Sequence, residues 1–67
     1  MNPPEGIGGD LVDQDEAGRY LGRSVRTLEQ WRYLGEGPTY IKCGRAVRYS
    51  LRDLDAFLAV HRHIPAA

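Results

Sequence analysis

Residues 13–35 have the sequence DQDEAGRYLGRSVRTLEQWRYLG, which predicts two short helices joined by a glycine corner. Asp13 can cap the first helix, and Glu16 three residues later completes a capping box. Gly22 is placed to end this helix, because helices commonly terminate at a glycine with positive φ. The apolar stripe of the first helix consists of Ala17, Tyr20 and Leu21, at helical spacing.

The second helix is expected to begin at Ser24 and to end at Gly35, since Pro38 prevents its continuation. Its apolar face is formed by Val25, Leu28 and Trp31. At about 100° per residue the opposite side is polar, with Thr27 on the flank of a set formed by Arg26, Gln30 and Tyr33. A capped helix held across another helix is the arrangement that places side chains in the major groove of DNA.

A β-hairpin is predicted next, because β-prone residues 39–43 and 46–49 flank the pair Gly44-Arg45. A two-residue type II′ turn with positive φ at Gly44 would pair Cys43 with Ala46, Ile41 with Arg48 and Tyr40 with Tyr49. The tip of this hairpin would carry the basic side chains of Lys42 and Arg45, and whether Arg48 belongs to it stays open at this point.

A third helix is expected from Ser50 to near Arg62, with Asp53 completing a second capping box. Its apolar face consists of Leu51, Leu54, Phe57 and Leu58. The fold class is therefore mainly α with a small β-hairpin, a winged helix-turn-helix with a two-stranded wing. Its predicted parts are a flexible arm over 1–10, the domain over 11–62 and a flexible tail over 63–67.

The charge of the chain is zero in total but unevenly distributed along the sequence. Residues 1–18 hold five acidic side chains and no basic one, whereas residues 19–52 hold eight basic side chains against Glu29 and Glu36. Because salt screens charges over about 8–10 Å, a local excess of this kind can attract phosphate. Arginine predominates in this basic block, and its forked guanidinium suits phosphate and guanine. The distribution favours double-stranded DNA as the partner.

The sequence offers little for other classes of function. Cys43 is the single cysteine, so it has neither a disulfide partner nor a second thiol for zinc. His61 and His63 are two residues apart and would not share a helix face. We therefore predict no catalytic residue, no metal or other cofactor and no small-molecule ligand. No membrane span or signal peptide is recognisable, and a cytoplasmic protein is expected.

As an ordered set, these motifs resemble the small winged helix-turn-helix proteins of the excisionase and MerR-like group. The resemblance covers residues 11–62, although Arg23 and Val25 depart from the usual residue types at their positions. It is carried by Glu16-Ala17, Tyr20-Leu21-Gly22, Ser24, Arg26-Thr27-Leu28, Trp31-Arg32, Gly35, Gly37-Pro38, Tyr40, Lys42, Gly44-Arg45, Val47-Arg48-Tyr49 and Asp53-Leu54-Asp55-Ala56-Phe57-Leu58.

The resemblance implies a phage excisionase, also called a recombination directionality factor. Such a protein binds adjacent sites cooperatively with further copies of itself, bends the DNA, and directs a tyrosine integrase toward excision. The second helix would then enter the major groove and the hairpin a neighbouring minor groove. The resemblance carries over Ser24, Arg26, Thr27 and Gln30 and the hairpin from Lys42 to Arg48. Together with the residues on the exposed side of the second helix, the predicted DNA-binding set is Arg23, Ser24, Arg26, Thr27, Gln30, Tyr33, Lys42, Gly44, Arg45 and Arg48.

Two alternatives to excision stay open at this point. Related domains serve as phage or prophage transcriptional regulators of the AlpA or MerR-like type, and their domain chemistry is the same. A protein of another class would be an adaptor that binds an integrase without binding DNA, its arginines being only solvated.

Overall fold

A computed structural model describes residues 10–65 of the chain. The fold consists of three helices and a small antiparallel sheet, which confirms the predicted mainly helical winged helix-turn-helix fold. Residues 1–9 of the predicted arm and residues 66–67 of the predicted tail lie outside the described part. In chain order the elements are β1 (Leu11–Asp13), α1 (Gln14–Leu21), α2 (Val25–Leu34), β2 (Ile41–Cys43), β3 (Ala46–Ser50) and α3 (Leu51–Val60).

Both ends of α1 and of α2 are capped as the sequence predicted. The Asp13 carboxylate accepts a hydrogen bond from the Glu16 amide at 2.8 Å, and the Ser24 hydroxyl accepts one from the Thr27 amide at 3.1 Å. At the other ends, both C-cap glycines adopt the left-handed conformation that was expected of them. These caps fix the bounds of the two helices from local sequence alone.

Gly18 is the residue that allows the tight corner between α1 and α2. It is buried, and its carbonyl accepts a hydrogen bond from the Arg23 amide at 2.8 Å. A Cβ atom on Gly18 would lie 2.6 Å from the Arg23 carbonyl oxygen, which is far inside a normal contact distance. The role of Gly18 could not be predicted from the sequence, because a glycine inside a helix gives no local signal of what approaches it.

The sheet has three strands in the order β1-β3-β2: β2 and β3 form the predicted two-stranded wing, and β1 adds a third strand that was not predicted. β1 pairs with β3, with Val12 opposite Tyr49. A strand of three residues is too short to show an alternating pattern, which is why the sequence did not reveal it. An isolated hairpin is only marginally stable, and the third strand gives this one the support it needs.

The hairpin itself has the predicted register. Ile41 lies opposite Arg48 and Cys43 opposite Ala46, and Gly44 has a φ of 63° at the turn. The ladder between β2 and β3 begins at Ile41, so it does not include the predicted pair of Tyr40 and Tyr49. The ring of Tyr40 nevertheless lies 6.3 Å from that of Tyr49, centroid to centroid.

The core is small and lies where the three helices meet β3. Its fully buried hydrophobic residues are Ala17, Leu28, Tyr49 and Leu54, and the side chains packed around them include Trp31. Tyr20 departs from its predicted place in the apolar stripe of α1, since 47% of it is exposed. Its phenol instead donates a hydrogen bond to the Asp55 carboxylate and so links α1 to α3.

The start of α3 differs from the predicted capping box. Ser50 caps the helix as expected, but its hydroxyl accepts from the Arg52 amide at 3.2 Å and not from that of Asp53. The Asp10 carboxylate also accepts from the Arg52 amide, at 3.2 Å, and receives the hydroxyl of Ser50. A carboxylate from the residue before β1 thus takes part in capping α3, at the Arg52 amide and the Ser50 hydroxyl.

Candidate nucleic-acid interface

The outward face of α2 is polar and free of packing. Leu28 is fully buried beneath the helix, whereas Arg26 and Gln30 are exposed one turn apart on the other side. Tyr33 is 89% exposed, in line with its predicted outward position. Val25 is half-buried, so the rotation of α2 agrees with the one inferred from the spacing of its apolar residues. We call the surface of Arg26, Gln30 and Tyr33 the outer face of α2.

The first turn of α2 is organised by the Ser24 hydroxyl. This oxygen accepts from the Thr27 amide and lies 3.0 Å from the Thr27 hydroxyl, which keeps Thr27 half-buried on the flank. Arg23 is exposed just before the cap. The remaining amides of this turn give the N-terminus of α2 a partial positive charge, which favours an anion.

The tip of the hairpin presents two basic side chains. Lys42 and Arg45 are exposed on either side of Gly44. Arg48, whose place was left open by the sequence, lies away from the tip: it is half-buried in β3, opposite both Ile41 and Asp13, and its guanidinium donates to the Val47 carbonyl at 2.9 Å. The antiparallel register places it three residues after the turn residue Arg45.

A groove of about 390 Å³ separates the flank of α2 from the hairpin and the start of α1. The basic block of the sequence does not make this groove uniformly positive, because acidic side chains of α1 and α2 also line it. Its charged lining consists of Asp13, Asp15, Glu29, Arg32, Arg45 and Arg48. The proximity of Asp13 to the hairpin could not be predicted from the sequence, because it depends on the pairing of β1 with β3, which places Asp13 opposite Arg48.

Arg32 points into the domain, which was not predicted from the sequence. It is half-buried, and its Nη1 donates to the Tyr49 hydroxyl at 2.7 Å while its Nη2 donates to Gln14 Oε1 at 3.1 Å. The guanidinium carbon also lies 5.8 Å from the centre of the Tyr40 ring. A residue four positions after the buried Leu28 lies on the same side of a helix, and that spacing was the available signal.

On the other flank of α2 a larger groove of about 710 Å³ is mainly apolar. The ring of Trp31 packs there at 5.4 Å from that of Phe57, centroid to centroid. Trp31 therefore belongs to the packing of the domain and is not available as a base-stacking platform. Other apolar residues of this groove are Leu21, Pro38, Leu58 and Val60.

Two further findings concern metal binding and membrane insertion. Over residues 10–65, no group of three or more His, Cys, Asp and Glu side chains could hold a metal ion. Within the same part of the chain, no helix has the length and apolar character needed to cross a membrane.

Comparison with known families gives one match. The sequence pattern of the family described as "helix-turn-helix domain" matches residues 11–62, which includes all six elements of the fold. No curated protein matches the chain at a significant level.

Proposed function

Since the chain belongs to the helix-turn-helix domain family and so has a DNA-binding fold, we propose that it is an excisionase. In this role it would bind tandem sites in double-stranded DNA, bend the DNA and direct a tyrosine integrase toward excision. The observation that supports the proposal is the pairing of two exposed basic features on one domain, the outer face of α2 and the hairpin tip. The same pairing is implied by the resemblance to small excisionases.

The outer face of α2 supplies the contacts that discriminate bases in this proposal. An arginine such as Arg26 can donate two hydrogen bonds to O6 and N7 of guanine, and a glutamine such as Gln30 can pair with N6 and N7 of adenine. Ser24 and Thr27 lie at the N-terminus of the same helix, where amides and hydroxyls suit a phosphate. Arg23 and Tyr33 lie at either end of this surface.

The hairpin supplies contacts that do not depend on base identity. Lys42 and Arg45 would lie against phosphates or in a neighbouring minor groove, where basic side chains bind the backbone and the narrow groove. Gly44 keeps the turn small enough to approach the duplex. Arg48, held at the base of the hairpin, would support this contact from the side.

Self-association along DNA follows from the size of the domain. A single small domain buries little surface on a duplex, so one copy should bind weakly. Copies on adjacent sites would raise the affinity by acting together, because each bound copy increases the effective concentration of the next. An array of copies would also impose the bend that excision requires.

The proposal is tested in two steps. A binding site is first selected from random duplexes, and single and tandem copies of that site are then compared by gel shift at two salt concentrations. Cooperative binding to the tandem site with a strong salt dependence is expected. Equal affinity per site for single and tandem duplexes contradicts cooperative assembly, and no binding to any duplex contradicts the DNA contact itself.

The recombination role needs a separate measurement. Footprinting of attachment-site DNA with and without a tyrosine integrase should show protection that the integrase extends, and circularly permuted duplexes should migrate as bent DNA. Occupancy of a promoter site that is indifferent to integrase would instead indicate a transcriptional regulator. Capture of integrase without any DNA binding would indicate an adaptor.

A further inference from the structure

Arg32 connects the recognition element to the hairpin. Its guanidinium donates from α2 to the Tyr49 hydroxyl on β3 and to Gln14 at the start of α1. We propose that Arg32 is a positioning residue that sets the distance between the outer face of α2 and the hairpin tip. The inference rests on the proposed function, in which both features contact one duplex.

The hairpin has few other attachments to α2. β2 is at the edge of the sheet and pairs with β3 alone, and two of its three residues, Lys42 and Cys43, are exposed. The path from α2 to the hairpin tip therefore runs through β3 and through Tyr40, which precedes β2. Arg32 contacts both, since its guanidinium bonds to Tyr49 and lies over the Tyr40 ring.

The environment of Arg32 also explains why it is not an additional phosphate ligand. Tyr49 is only 1% exposed, and Arg32 supplies the hydrogen bond to its hydroxyl. Moving the guanidinium to a phosphate would leave that phenol without this partner, which is costly for a buried polar group. Arg26 and Arg45, by contrast, are exposed.

An arginine is required at this position by the geometry of the three contacts. A planar guanidinium can donate in two directions while one face lies against an aromatic ring. A lysine ammonium can donate to one or both oxygens, but it lacks the planar surface. Arg32→Lys should therefore keep part of the function, whereas Arg32→Met keeps an unbranched apolar stem and loses every polar contact.

The chain provides its own probe of this distance, because it has one tryptophan and one cysteine. Trp31 is in α2 and Cys43 is exposed beside the hairpin turn. With a fluorescent acceptor on Cys43, time-resolved energy transfer from Trp31 reports the distribution of distances between helix and hairpin in the free protein. The donor lifetime of each unlabelled variant serves as its reference.

We expect Arg32→Met and Tyr49→Phe to broaden this distribution while the far-ultraviolet circular dichroism stays native. Arg32→Lys should fall between them and the wild type, and Arg26→Ala should leave the distribution unchanged. Tyr49→Phe keeps the buried ring and removes only the hydroxyl, so it tests the proposal even if Arg32→Met fails to fold. An unchanged distribution in Tyr49→Phe and in Arg32→Lys overturns the inference.

DNA binding gives the second readout. Arg32→Met should weaken binding to the selected duplex about tenfold and reduce the salt slope by about one, as the loss of a hairpin phosphate contact would. Adding Arg45→Ala to Arg32→Met should then cause little further loss, whereas adding Arg26→Ala should cause its full loss. Full additivity with Arg45→Ala would contradict the positioning role.

These outcomes separate the inference from the function on which it rests. If the wild-type protein binds no duplex, the proposed function is wrong, while the energy-transfer result on the free protein still decides whether Arg32 fixes the hairpin. If the wild type binds and the variants show neither a broader distribution nor coupling to Arg45, the proposed function stands and the inference is wrong.

Discussion

The outer face of α2 and the tip of the hairpin both present basic side chains, but the fold supports them in different ways. α2 is capped at both ends and is anchored by the fully buried Leu28. One strand of the hairpin, β2, is at the edge of the sheet, and the residues on both sides of Gly44 in the hairpin turn are exposed. Side chains that discriminate bases must be held accurately, whereas neutralising phosphates tolerates movement. Under the proposed function, we therefore expect specificity to come from α2 and general affinity from the hairpin.

The largest effect is expected at Gly18, which allows the tight corner that holds α2 against α1. Gly18→Ala places a Cβ atom 2.6 Å from the Arg23 carbonyl oxygen, so α1 and α2 must move apart. We expect unfolding free energy to fall by about 1–3 kcal/mol, measured by urea denaturation followed by circular dichroism. Without the close approach, alanine inside a helix would instead stabilise the domain by about 1 kcal/mol. A gain in stability would thus contradict the view that the close approach at Gly18 holds α2 in place.

Arg26→Ala tests the specificity assigned to α2. Loss of a bidentate contact to guanine should weaken binding to the selected duplex by about 1–3 kcal/mol and relax the base preference at one position. The measurement is a competition between the selected duplex and duplexes substituted at each base pair. Arg62→Ala removes the same charge from an exposed residue beyond the end of α3 and serves as the control. Wild-type affinity and preference in Arg26→Ala would show that the outer face of α2 does not contact the bases.

Arg45→Ala tests the other side of the comparison. If the hairpin tip binds phosphate, this variant should weaken binding to every duplex by a similar factor and reduce the slope of log K against log salt by about one. Affinities are measured by fluorescence anisotropy at several salt concentrations, for selected and unrelated duplexes in parallel. A loss of affinity confined to the selected duplex would show that the hairpin also discriminates between bases, so that it would not differ from α2 in this respect.

The same contrast explains what the sequence could predict. The bounds and rotation of α2 follow from Ser24, Gly35 and the spacing of apolar residues, which are local signals, and the structure agrees with them. The hairpin register follows in the same way from the pair Gly44-Arg45. All of these features are set by residues within one turn or one strand of each other.

The features that the sequence missed depend on contacts between distant residues. β1 is too short to show a pattern, and its presence is known from its pairing with β3. Asp10 takes part in capping a helix that begins 41 residues later, and Arg32 is directed inward by Tyr49, 17 residues away. A rule that treats charged residues as solvated cannot identify an arginine held by a buried phenol.

Glu29→Gln is expected to have a smaller effect and to sharpen the boundary between the two features. Glu29 is exposed on the flank of α2 and lines the same groove as Arg45 and Arg48. At about 8 Å in water, removing one negative charge lowers its repulsion of a phosphate by about 0.5 kcal/mol, which is about a twofold gain in affinity. The gain should appear for every duplex in the anisotropy assay. A loss confined to one base pair would instead indicate that Glu29 accepts a hydrogen bond from cytosine.

The smallest effect is expected at the contact between α1 and α3, which lies outside both compared features. The hydrogen bond to Asp55, together with partial burial and the negative charge of that carboxylate, raises the pKa of Tyr20 above its ordinary value of 10.0. A phenol whose pKa is higher in the folded state stabilises the fold at neutral pH, and this contribution is lost as pH rises past 10 through the folded pKa. Urea denaturation between pH 8 and 11 should therefore show a weak decline in stability that Tyr20→Phe lessens.

Because Tyr20 is half-exposed, solvent keeps this effect small, and DNA affinity at neutral pH should be the same in both proteins. A change in base preference in Tyr20→Phe would mean that the α1–α3 contact also sets the position of α2, and that the rigid feature extends beyond the helix and its caps.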